Sequence, residues 1–183
     1  MMRMIDPNST LAQVLQQYPG AQRSLFAKYH IGGCRSCSFS PEETLQELCD
    51  RNESIPVDEM IDHIVSTHEE DRKILIEPKE LEQLLGKDSP PRLLDVRTRE
   101  EHEAVSIQDS VLFTQDLLQD IHGRWDKEQT VVLYDHQGTR VLDAATFLIG
   151  HGFGATRALR GGIDAYSLEV DSSLPRYRVE LEE

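Results

Sequence analysis

The chain has 183 residues, 38% hydrophobic and 28% charged, with 33 acidic against 19 basic side chains and a net charge of -14. That balance argues against nucleic acid or an anionic membrane as a main partner, since both bind through clustered Lys and Arg, and the composition is globular rather than disordered. No apolar run approaches the ~20 residues that span a bilayer, and the opening Met-Met-Arg-Met-Ile-Asp-Pro-Asn lacks a signal-peptide core, so a cytoplasmic location is expected.

The first helix is expected after Thr10, which forms a capping-box pattern with Gln13 and precedes Leu11, Val14, Leu15 and Tyr18 at helical spacing. Pro19-Gly20 stops it. A second helix over 21–29 offers Leu25, Phe26 and Tyr29 and ends at Ile31-Gly32-Gly33. The pair Cys34 and Cys37 follows in a loop. Ser40-Pro41-Glu42-Glu43 reads as the start of a third helix carrying Leu45, Leu48 and Cys49. After Pro56, Val57, Met60, Ile61, Ile64 and Val65 keep helical spacing until a charged run at 68–73, read as a linker. Residues 1–67 are thus a small all-α domain, near the size at which a core alone is marginally stabilising.

From Ile74 strands and helices alternate. Helices are expected over 78–85 (closed by Gly86), 98–103, 116–121, 141–149 and 163–168. Extended segments are expected within 92–97 and at 110–113, 130–134 and 158–159. This is an α/β pattern with a mainly parallel sheet flanked by helices, which places ligands at the carboxyl ends of the strands. The stretch Val-Val-Leu-Tyr-Asp-His-Gln-Gly-Thr-Arg at 131–140 is a buried strand turning into a helix N-terminus. Successive loop amides and the helix dipole make such a turn an anion cradle. Its mouth nevertheless carries an anion, Asp135.

Four separated motifs in 74–177 resemble the rhodanese family, sulfurtransferases that carry sulfane sulfur as a cysteine persulfide. Leu94-Asp95-Val96-Arg97 with Glu100 is similar to the family's opening strand, in which Asp95 and Arg97 are supporting residues. The strand and loop ending Asp135, His136, Gln137, Gly138, Thr139 and Arg140 resemble its six-residue Cys-x-x-Gly-x-Arg loop. Phe147-Leu148-Ile149 with Gly152-Phe153 is similar to the following helix, and the stretch from Leu159 to Tyr166 to the closing motif. The resemblance implies a rhodanese-like domain over 74–183. By position, Gly138 lets the backbone fold around an anion, Arg140 is the basic residue at the far end, and Asp135 stands where the nucleophilic Cys belongs. A carboxylate has no sulfur to accept sulfur. A second departure is Val105-Ser106-Ile107-Gln108-Asp109-Ser110, where the family has Gly-His-Ile-x-Gly-Ala.

Two roles for Asp135 follow from its chemistry. In one, its side chain folds into the loop's own amides or caps the next helix, and pairs with Arg140. In the other it is a carboxylate nucleophile, since Asp-x-x-Gly-Thr resembles the phosphoaspartate loop of haloacid-dehalogenase-type phosphatases; Gln137 replaces that loop's second Asp. The first is the expectation, and with it an inactive sulfurtransferase homologue serving as a binding or regulatory module linked to sulfur or redox metabolism. The expected partner is an unidentified protein, not nucleic acid or membrane.

Cys34 and Cys37 bring two thiols together beside helix ends, a spacing that can hold a metal or iron-sulfur group, carry a dithiol couple or accept sulfur. A closed zinc site wants four ligands, for which His30, Cys49, His63 and His68 are the nearby candidates. Cys49 reads as a core cysteine, and no cofactor is assigned. The helical unit resembles a small domain of unknown function found beside hybrid-cluster and other redox proteins and beside rhodanese domains. The alternative is an active sulfurtransferase or sulfur relay in which Cys34 or Cys37 accepts the sulfur, and the third reading a phosphatase acting through Asp135.

Overall fold

A computed structural model describes residues 5–32, 39–138 and 140–177. The chain divides into two compact units, Met1–Lys73 and Ile74–Glu183.

The first unit is helical: α1 (Leu11–Gln17), α2 (Ala21–Tyr29), α3 (Leu45–Arg51) and α4 (Val57–Ile74). Thr10 caps α1 through a reciprocal bond with Gln13, as the capping box requires. The third helix starts later than Ser40-Pro41 suggests, because Thr44 and Glu47 form a second capping box and the 40–43 segment turns before it. Leu11, Leu25, Leu45, Leu48, Met60 and Ile64 make one buried cluster. Cys49 belongs to it, with its Sγ 3.5 Å from Met60 Sδ and its thiol pushed up to about 11 by burial. The run at 68–73, read as a linker, is instead the last turns of α4. Its Asp71 is buried and pairs with Arg23 of α2, which ties those turns to the helical unit. Cys34 and Cys37 lie outside the described residues.

The second unit carries β1 (Leu75–Ile76), α5 (Pro78–Leu85), β2 (Arg92–Asp95), α6 (Arg99–Ala104), β3 (Val111–Leu112), α7 (Gln115–Arg124), β4 (Val131–Tyr134), α8 (Val141–Gly150), β5 (Thr156–Leu159) and α9 (Gly162–Glu169). The strands form one parallel sheet in the order β1-β5-β4-β2-β3. β4 is central, and every side chain of its Val-Val-Leu-Tyr is buried, as a strand covered on both faces demands. Val131 and Leu133 pack with Ile121, Leu142, Leu148 and Phe153 on one face. Val132 and Tyr134 pack with Leu81, Leu159 and Ile163 on the other. The alternation places α7 and α8 on one side and α5 and α9 on the other. No helix among the described residues is long and apolar enough to cross a membrane.

Candidate functional site

The site lies at the carboxyl end of the central strand, where β4 turns into α8. Asp135 is 5% exposed. Its carboxylate accepts the backbone N–H groups of Gly138, of Arg140 at 2.7 Å and of Val141 at 3.1 Å. One side chain therefore takes the converging amides that would otherwise face an external anion, and caps the α8 N-terminus as well. Arg140 contributes its backbone; its side chain is exposed, and among the described residues no ion pair joins it to Asp135, contrary to the expected pairing. Gln137 is exposed, and Thr139 lies outside the described residues.

The loop is held from below by α9. Asp135 O accepts the Ile163 N–H at 2.9 Å and His136 O that of Asp164 at 3.1 Å. Gly161 and Gly162 sit in left-handed conformations that allow this approach. Gly138, at φ 83°, packs so that a Cβ would lie 2.7 Å from Gly161 N. A Cβ on Gly162 would collide with the carbonyls of Asp135 and His136. Gly162→Ala is accordingly expected to lower stability by ~3 kcal/mol, from left-handed strain plus overpacking. Denaturant titration checks it, and a variant within ~0.5 kcal/mol of the parent contradicts the packing described.

Beside the loop, β2 delivers a buried ionic network. Asp95 is wholly buried and Arg97 is 9% exposed. Arg97 donates from Nε to Asp95 Oδ1 at 2.9 Å and from Nη2 to Oδ2 at 2.6 Å, and its backbone N–H also reaches Oδ1 at 3.0 Å. Oδ2 further accepts the Tyr134 hydroxyl at 2.9 Å and lies 2.8 Å from His102 Nδ1. Burial pushes the Asp95 carboxyl up, but the hydrogen bonds from Arg97 and His102 outweigh it and leave it below the usual carboxylate range. Burial raises the Tyr134 hydroxyl. That hydroxyl is 2.8 Å from Ser110 Oγ and accepts the Ile107 N–H at 3.3 Å. The segment that departs from the family pattern at 105–110 thus still closes the network, with Val105 O accepting Arg97 Nη2 at 2.6 Å. His102 carries no ligand spacing in the sequence; the fold brings it to Asp95.

A parallel five-stranded sheet with a six-residue loop at the end of its central strand is the geometry the motifs imply, and a family model for the rhodanese-like domain matches residues 77–169. The chain belongs to that family. A sulfurtransferase of Allochromatium vinosum is 30% identical over 92 residues, which cover 50% of this chain and 86% of that protein. Among solved structures, a rhodanese-like domain protein from Staphylococcus aureus is similar at 24% identity and TM-score 0.44, over 57% of this chain and 98% of that one. A human single-domain sulfurtransferase is similar at 22% identity and TM-score 0.47, over 52% and 96%. Within this rhodanese-like domain, both carboxylate oxygens of Asp135 are turned to the loop backbone.

Proposed function

We propose that the rhodanese-like domain of this protein does not transfer sulfur through its loop and serves as a binding or regulatory module in sulfur or redox metabolism. The observation that supports this reading is the seating of the Asp135 carboxylate on three loop amides. A sulfurtransferase loop needs those donors for a bound oxyanion and a thiolate at the strand end to take up sulfur. Here the position has no sulfur, and the donors are taken by an internal carboxylate. The same contacts count against Asp135 as a phosphatase nucleophile, since the carboxylate is 5% exposed and both oxygens are turned inward onto loop amides, away from a phosphorus approaching from outside.

The test is a thiosulfate-to-cyanide sulfur transfer assay on the intact protein and on Asp135→Cys. The expected result is an inactive parent and measurable turnover in the variant. An active parent whose turnover is abolished by Cys34→Ser would overturn the reading in favour of a sulfur relay through Cys34 and Cys37.

A further inference from the structure

The chain does not stop at α9. Residues 171–177 turn back across the domain in no helix or strand and reach the loop. Ser167 Oγ donates to Leu174 O at 2.7 Å, and Arg176 grips Asp164 from Nε at 2.6 Å and Nη2 at 3.0 Å. The Tyr177 ring lies flat on His136, with centroids 4.4 Å apart and planes 6° off parallel. Its hydroxyl accepts from Arg97 Nη1 at 2.6 Å and donates to Glu101 Oε1 at 2.8 Å. One side chain therefore spans the loop, the buried ionic network and α6.

Two features distinguish this segment from ordinary core. Most of it lies at the surface: Ser172, Ser173, Pro175 and Arg176 are exposed, Leu174 is its apolar anchor on the core, and among the described residues Arg176 and Tyr177 are held by side-chain contacts. It also leaves a cost beneath it, since His136 Nε2 is buried with no hydrogen-bond partner among the described residues. A buried polar atom without a partner opposes the closed form. Segments held by few apolar contacts are those that open locally at free energies below global unfolding.

We propose that residues 171–177 are a removable strap, and that Tyr177 fills in the free protein a docking position that a tyrosine side chain of a partner protein takes in its place. The position offers the His136 ring for stacking, the Arg97 guanidinium as donor and the Glu101 carboxylate as acceptor, which together match a phenol. The partner assignment rests on the binding-module reading; opening of the strap does not, and it is measured without any ligand.

Diethyl pyrocarbonate modification of the 183-residue chain, read at His136 by mass spectrometry with exposed His122 as reference, follows the opening. In the wild type, His136 should react slowly, at a rate insensitive to low urea, because a local opening exposes little surface. Tyr177→Ala should react about tenfold faster at His136 and no faster at His122. Tyr177→Phe, which keeps the ring, should fall between them. Saturable protection of His136 in Tyr177→Ala by N-acetyl-tyrosinamide, absent with N-acetyl-alaninamide, is expected of the docking position. Equal rates in Tyr177→Ala and wild type, or wild-type modification that tracks global unfolding in urea, overturn the strap. Failure of N-acetyl-tyrosinamide to protect an opened Tyr177→Ala overturns the docking role, while the sulfur-transfer assay still judges the binding-module reading separately.

Discussion

Arg97→Met will destabilise the rhodanese-like domain by about 3–5 kcal/mol, because it leaves a buried carboxylate without its main counter-charge. Arg97 supplies three of the bonds to Asp95 and also holds Val105 O and the Tyr177 hydroxyl; only the backbone bond survives the change. The effect has a pH signature. In the wild type the Asp95 carboxyl is held below its usual value, so its contribution to stability is present above the ordinary carboxylate pKa. It is lost as pH falls through the lower folded value. In Arg97→Met the burial of Asp95 is opposed only by His102, Tyr134 and the backbone, which raises the folded pKa relative to the wild type. Protonation then relieves part of the cost. The gap between variant and wild type should therefore narrow as pH drops below ~4. Urea unfolding at neutral and acid pH measures it, and a gap that widens in acid would contradict the assignment of Arg97 as the group that stabilises the Asp95 charge.

The second large effect is a gain. Asp135→Ala removes the carboxylate and exposes the N–H groups of Gly138, Arg140 and Val141 at the start of α8. In low salt the variant should lose ~2 kcal/mol, the cost of a lost cap and of unmet amides. Sulfate or thiosulfate should then restore the loss in proportion to its concentration, since an anion that binds only the folded state stabilises it by mass action. The wild type should show no such dependence, because Asp135 holds the donors and repels an incoming anion. Thermal shift against sulfate, with chloride at matched ionic strength as control, reads both. A wild type that sulfate stabilises as strongly as Asp135→Ala would falsify the description of a self-filled cradle.

Much of this was legible along the chain. The β4 sequence Val-Val-Leu-Tyr can only satisfy its apolar side chains on both faces when helices cover both, so a parallel sheet followed from local pattern. The capping box at Thr10 follows from a pair three residues apart; the same spacing at Thr44 was passed over for the start at Ser40. The length of the 135–140 loop, its Gly138 and the placement of Asp135 at its mouth are likewise properties of contiguous residues. Where local signals compete, long-range contacts decide. The charged run at 68–73 reads as a solvated linker, yet Asp71 finds Arg23, a partner 48 residues earlier, and the helix continues.

What the sequence by itself determined, then, is the order of every element except the two-residue β1, which it did not signal, together with the family and the carboxylate at the mouth of the loop, because each is encoded at a spacing of a few residues. What only the tertiary structure decided is where charges and rings meet across the chain. Asp95 and Tyr134 meet 39 residues apart, Arg97 and Tyr177 80 apart, and His136 lies flat on Tyr177. These are consequences of strand order and of the return of residues 171–177, and no local propensity carries them. They depend on loops closing over long separations, whose cost is met by the whole domain rather than by any one segment.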